Sequence, residues 1–266
     1  MSFYKVILIA IVVYILLNII LYFTQELFIF QSGKGLSKNF KFDFDFPYEE
    51  VYLNPEKEAT LHGLLLKSKE PKGVILFYHG NRGNVTRWGN IVKYFLQFNY
   101  DILVMDYRGY GKSTGLRNEV KLHSDAVFAY KHLSKTYKQE NIIIYGRSLG
   151  TGIATKLASD VNPKCLILET PYKNLADLLK RSLFMFPIRW LINYDFRSDL
   201  FLKNVQSPIH IFHGTNDNIV PLESALRLVE STNRKDINVN IIDGGQHNNL
   251  DTFTSYQKEI GFILND

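Results

Sequence analysis

Only one of the 266 residues is cysteine, Cys165, so neither an intramolecular disulfide framework nor a thiolate-rich metal site can form. Basic residues never run longer than two, as at Arg234-Lys235, and the formal net charge is only +5 at pH 7. A polyanion-binding surface needs clustered cations, so nucleic acid is not an expected partner. Internal repeats and low-complexity tracts are also missing. With 46% hydrophobic and 21% charged residues, the composition is neither disordered nor collagenous. The length admits one large α/β domain or two small ones.

Charge is scarcest at the start of the chain. Lys5 is the sole charged residue among the first 24, and between Val6 and Phe23 only Asn18 is clearly polar. At about 1.5 Å per helical residue this run covers roughly 27 Å, close to the ~30 Å hydrocarbon thickness of a bilayer. A cleaved signal peptide would have a shorter apolar region and a small-x-small exit, whereas Ile20-Leu21-Tyr22-Phe23-Thr24 is bulky. A buried core helix is usually amphipathic, and this run is apolar all round. Residues 1–24 are therefore read as a single-pass membrane anchor. Lys5 and the amino terminus flank one side, and Lys34, Lys38 and Lys41 the other, so the positive charges do not select which side of the membrane the remainder faces. Residues 25–39, with Gly33, Gly35 and serines, read as a juxtamembrane linker, and residues 40–266 as one domain.

Within that domain, strand-like and helix-like segments alternate. Val51–Asn54 and Leu61–Lys67 predict an antiparallel pair across a polar turn. Near-continuous Val/Ile/Leu runs at Val74–Tyr78, Ile102–Met105, Ile142–Tyr145, Cys165–Leu168, Ile209–Phe212 and Val239–Ile242 suit strands covered on both faces. Helical periodicity occupies Val85–Phe98, Asn118–Tyr137, Leu149–Val161, Leu222–Ser231 and Leu250–Leu264. The alternation predicts a mostly parallel, doubly wound sheet. One insertion, 172–202, is too long for an ordinary connection and carries much apolar bulk, including Phe184, Met185, Phe186 and Trp190. A short helical cap over a cleft fits it best.

Chemistry is expected on the turns that follow the strands. Ile142–Tyr145 runs into Gly146-Arg147-Ser148-Leu149-Gly150 and then a helix, the strand-turn-helix setting of a nucleophile elbow. Gly146 and Gly150 give the strained turn its room. A serine nucleophile needs a base, and the base an orienting carboxylate, in chain order Ser, Asp or Glu, His. His210, His213 and His247 follow Ser148. His210 lies within a strand run, and His213 precedes any acid at its own strand end, so it is read as a structural polar group. His247, on the loop after the last strand, is the expected base. Asp217 closes His213-Gly214-Thr215-Asn216-Asp217 and is preferred as the acid over Asp195, Asp199, Asp243 and Asp251. An oxyanion needs two preset donors. The backbone N–H of Leu149 is one, and that of Asn81, after His79 and Gly80 in the loop following Val74–Tyr78, is the expected second. His79 itself is read as a buried structural residue.

These segments, together with Asp106-Tyr107-Arg108-Gly109-Tyr110-Gly111-Lys112-Ser113, resemble the serine α/β-hydrolases over residues 50–265. More narrowly they resemble the membrane-anchored branch of BEM46-like, ABHD13-type and ABHD17-type proteins. Gln246 departs from the glycine common before the histidine there. The resemblance implies hydrolysis of an ester, thioester or amide without a metal or organic cofactor. The expectation is a membrane-tethered serine hydrolase acting on a small-molecule or lipid-like acyl substrate. Amide or peptide hydrolysis, acyl transfer and a non-catalytic scaffold remain as alternatives.

Overall fold

Local preferences along the chain become regular elements in the computed structural model, which describes residues 2–265. In chain order these are α1 (Phe3–Ile29), β1 (Tyr48–Glu56), β2 (Ala59–Leu66), β3 (Gly73–Tyr78), α2 (Val85–Val92), β4 (Tyr100–Met105), α3 (Glu119–Leu133), β5 (Ile142–Arg147), α4 (Gly150–Asp160), β6 (Cys165–Glu169), α5 (Leu175–Ser182), α6 (Ile188–Leu191), α7 (Ser198–Phe201), β7 (Ile209–Gly214), α8 (Leu222–Glu230), β8 (Ile237–Ile242) and α9 (Thr254–Asn265). The helix expected over Val85–Phe98 is split. After α2 it tightens into a 3-10 turn, Lys93–Phe98, and stops at Asn99, whose φ of 59° suits the left-handed conformation that asparagine tolerates. The last expected helix likewise opens with a 3-10 turn, Leu250–Thr252.

The strands form one sheet ordered β1-β2-β4-β3-β5-β6-β7-β8. β1 pairs antiparallel with β2, and β2 antiparallel with β4; every other neighbour pair is parallel. β3 to β6 are buried at every position, because helices cover both faces. Alternation along β3 divides its side chains between two cores. Val74, Leu76 and Tyr78 join α3, α4 and the cap side, while Ile75 and Phe77 join α2, α9 and the aromatic segment around Phe42. This is the α/β-hydrolase architecture.

Two features of this topology place the site. The chain leaves β3 for β4 on one side and crosses from β4 to β5 on the other, so a crevice opens at the carboxyl ends of β3 and β5. Register sets Tyr78 beside Gly146, which brings the loop after β3 against the turn after β5.

α1 is the one helix among the described residues long and apolar enough to cross a membrane. It continues to Ile29, past residue 24, because Thr24, Gln25 and Glu26 are polar without being helix breakers. Its end is seated on the domain. Ile29 and Phe30 are buried in the cap-side core, Glu26 pairs with Arg117 at 3.0 Å and accepts from Tyr194 Oη, and Gln31 O accepts from the Gly83 N–H at 3.1 Å. The segment 172–202 forms α5, α6 and α7 and stands over the crevice beside α1.

Candidate active site

The turn between β5 and α4 holds Ser148 at φ +52°, a left-handed conformation that an L residue adopts only when its surroundings force it. Those surroundings are tight. A Cβ on Gly146 would lie 2.6 Å from that of Ala154, and one on Gly150 only 2.1 Å from the Tyr78 carbonyl oxygen. Both glycines are therefore needed for α4 to start against β3. The Ser148 N–H donates to the Glu169 carbonyl at 2.9 Å, and its own carbonyl accepts from Thr151 N and Oγ1. The side chain is left facing the crevice.

His247 reaches that side chain from the loop after β8. Ser148 Oγ–H donates to His247 Nε2 at 2.9 Å, and His247 Nδ1–H donates to Asp217 Oδ2 at 2.7 Å. The remaining Asp217 oxygen accepts the N–H groups of Ile219 and Val220, both at 2.9 Å. Burial pushes the Asp217 carboxyl up, but the neighbouring His213 and the hydrogen bond from His247 outweigh it and hold the group well below the usual carboxylate range. His213 donates from Nε2 to the Val220 carbonyl at 2.8 Å and stands 3.5 Å from Asp217, so it supports the acid's loop and does not touch Ser148. Asp195, Asp199, Asp243 and Asp251 make no hydrogen bond or ion pair with His247 among the described residues. Gln246 is accommodated without a left-handed backbone, its N–H capped by Asn249 Oδ1 at 2.7 Å.

The loop after β3 brings Asn81 to the same place. Gly80 faces Ser148, where a Cβ would lie 3.6 Å from the serine's own. Among the described residues, the N–H groups of Asn81 and Leu149 donate to no protein acceptor. The Asn81 carbonyl is pinned from behind by Tyr110 Oη at 2.7 Å, and the His79 carbonyl accepts from Tyr107 Oη at 2.6 Å. His79 is fully buried, donates to the Gly80 carbonyl from Nδ1 at 2.7 Å and stacks on Trp88. It shapes the loop.

Other residues near the site carry no spacing signal in the sequence. Arg147 is buried, pairs with Glu169 at 3.0 Å and donates to the His247 carbonyl at 3.2 Å, bracing the histidine loop against β6. Glu169 also accepts from Tyr145 Oη at 2.5 Å. Two cavities meet at Asn81, Ser148 and Ile219. One, about 210 Å³, is lined by Arg82, Arg87, Arg147 and Asn248. The other, about 250 Å³, is lined by Phe28 and Ile29 of α1 and by Leu175, Leu178 and Leu179 of α5. Burial and the neighbouring cations Arg147 and Arg82 push the Arg87 guanidinium below its ordinary value. Neither Arg82 nor Arg87 has a carboxylate within ion-pair distance among the described residues; Arg82 donates instead to Gln31.

Comparison with known proteins places the chain in a family. The family model described as serine aminopeptidase, S33 matches residues 69–194. The uncharacterized protein R595 of Acanthamoeba polyphaga mimivirus is 30% identical over 244 residues, 81% of each chain. Protein bem46 of Schizosaccharomyces pombe is 28% identical over 67% of this chain and 64% of its own. The chain belongs to the serine α/β-hydrolase superfamily, in its BEM46-like branch. The lysophosphatidylserine lipase ABHD12 of Danio rerio is 31% identical over 65% of this chain and 50% of its own. The matched region thus spans about half the length of that lipase. Among solved structures, the Pyrococcus furiosus esterase Pf2001 superposes on 88% of this hydrolase and 97% of its own chain, with a TM-score of 0.69 at 19% identity. That likeness shows the fold.

Proposed function

We propose that this hydrolase is a membrane-anchored serine esterase or thioesterase that cleaves an amphiphilic acyl substrate through an acyl-enzyme. The hydrogen-bond chain from Ser148 through His247 to Asp217, at 2.9 and 2.7 Å, carries the reading. His247 Nε2 takes the proton as Ser148 Oγ attacks the acyl carbonyl, and Asp217 holds the ring in the required tautomer and stabilises the imidazolium. The oxyanion is received by the open N–H groups of Asn81 and Leu149. His247 then passes its proton to the leaving oxygen or sulfur. The acyl group stays on Ser148 until water, deprotonated by His247, releases it as the carboxylic acid.

The two cavities support an amphiphile with its acyl part against α5 and the end of α1, and its polar part toward Arg82 and Arg87. The activity in the name of the ABHD12 relative supports a lipid-like ester, and α1 supports tethering to a membrane. A fluorophosphonate probe should label wild-type protein and leave Ser148→Ala and His247→Ala unlabelled. Labelling that survives Ser148→Ala would overturn the nucleophile. Hydrolysis of short soluble esters with none of long-chain esters would overturn the lipid-like substrate.

A further inference from the structure

We propose that the tip of the cap, residues 183–191, lies inside the lipid bilayer beside the middle of α1. The proposal rests on α1 being a membrane anchor. Tyr14 stands near the centre of the apolar run Val6–Phe23, about 12 Å from either end at ~1.5 Å per residue. Yet Tyr14 touches the cap. Its Oη donates to the Met185 carbonyl at 2.8 Å, and its ring stacks on Phe186 with centroids 6.0 Å apart. Towards the domain, Gln25 Nε2 donates to the Leu191 carbonyl at 3.1 Å, and Asn193 N–H donates to Gln25 Oε1 at 2.6 Å. The cap therefore follows α1 over eleven residues, roughly 16 Å. A ~30 Å hydrocarbon layer centred on the apolar run must enclose the tip as well.

The chemistry of the tip fits that solvent. Phe184, Met185 and Trp190 are 74%, 67% and 89% exposed, a cost in water that disappears in hydrocarbon. Backbone groups need internal partners there. Leu183 N–H donates to Leu179, Phe186 to Leu183, Ile188 to Phe186 and Trp190 to Pro187, while the Met185 carbonyl is taken by Tyr14. The segment's one cation, Arg189, reaches back to Asp177 on α5 at 2.8 Å, as a side chain snorkelling toward the interface does. The cavity at Ser148 lies between Phe28 and Ile29 at the end of α1 and the leucines of α5, with Arg181 and Asn218 also on its wall, so an acyl chain has a route to the serine from the bilayer side.

Trp190 is one of two tryptophans, and the other, Trp88, is 3% exposed inside the domain. Full-length protein would be reconstituted in phosphatidylcholine vesicles carrying bromines at graded depths along the acyl chain. Emission would be compared between wild type and Trp190→Phe. The expected result is a loss of most of the Trp190 emission to bromines in the upper part of the acyl chain, near the level of Gln25, none to aqueous iodide, and no depth-dependent loss in Trp190→Phe. Iodide quenching of Trp190 in protein that resists alkaline carbonate extraction would overturn the inserted tip and leave the anchor standing. Release by carbonate would overturn both. Protection from bromine and iodide alike would also overturn the proposal, with a second copy covering the tip. Fluorophosphonate labelling of the same vesicles reports on Ser148 separately.

Discussion

Ser148, His247 and Asp217 come from three separate strand ends, and the role proposed for Asp217 makes predictions for both activity and stability. Asp217→Asn removes the acceptor that holds the His247 Nδ1–H, so kcat should fall by about 10⁴, measured on any turned-over ester. Burial alone would raise the Asp217 carboxyl, but the neighbouring His213 and the hydrogen bond from His247 set it below its ordinary value. A lowered carboxylate contributes fully above its unfolded pKa and loses that contribution as pH falls through the lowered one. Melting curves from about pH 6 downward should therefore decline less steeply for Asp217→Asn than for wild type; parallel curves would argue against it. At the cleft's other end, Arg87→Gln should raise KM for an ester with an anionic leaving portion several-fold and leave an uncharged analogue unaffected. Equal effects on both would remove the arginine cavity from recognition. Burial pushes the Cys165 thiol up to about 12, so the folded protein should not react with thiol reagents at neutral pH, and should do so once denatured.

At the scale of elements, the elbow depends on α4 starting in contact with β3. Gly150→Ala would set a methyl 2.1 Å from a backbone oxygen, and stability should drop by at least about 3 kcal/mol in denaturant titration. Gly35→Ala, where the nearest atom would be 3.6 Å away, should change little. The same elements explain what was legible beforehand. The fully buried strands β3 to β6 read as unbroken apolar runs, and β7 and the half-exposed β8 still carry enough Val and Ile to be legible, while Ser148, Asp217 and His247 stand out because their loops follow strand ends. The bracing of His247 by Arg147 and Glu169 was not legible: it joins residues 100 apart, and nothing in local spacing announces it. Nor was the change to 3-10 geometry after Val92, since both helix types bury residues three apart. The extension of α1 past Phe23 escaped for a related reason. Gln25 and Glu26 look like the polar end of an anchor, but they bond to Asn193 and Tyr194, 168 residues away, and Glu26 also to Arg117.

For the whole molecule, the apolar N-terminal helix and the remainder are not independent bodies. Phe30 lies beyond the apolar run, yet it is 4% exposed and stacks edge-on against Tyr194 at 4.8 Å. Phe30→Ala should cost roughly 3–5 kcal/mol of domain stability, a loss visible in melting of the solubilised full-length protein; no change would mean that the segment after α1 is dispensable. Setting the first 24 residues aside leaves 242 with 56 charges, so the mild basicity of the chain belongs to the domain and its solubility. The docked segment after α1 also limits where the serine can travel. Fifteen residues of free chain would let a tethered domain wander on the order of 20 Å. Here Gln31 is bonded to Gly83 and Leu36 to Gly111, which removes that slack. With α1 in a bilayer, the enzyme would work at one fixed height and meet substrate by lateral diffusion, leaving acyl groups held farther above the surface out of its reach.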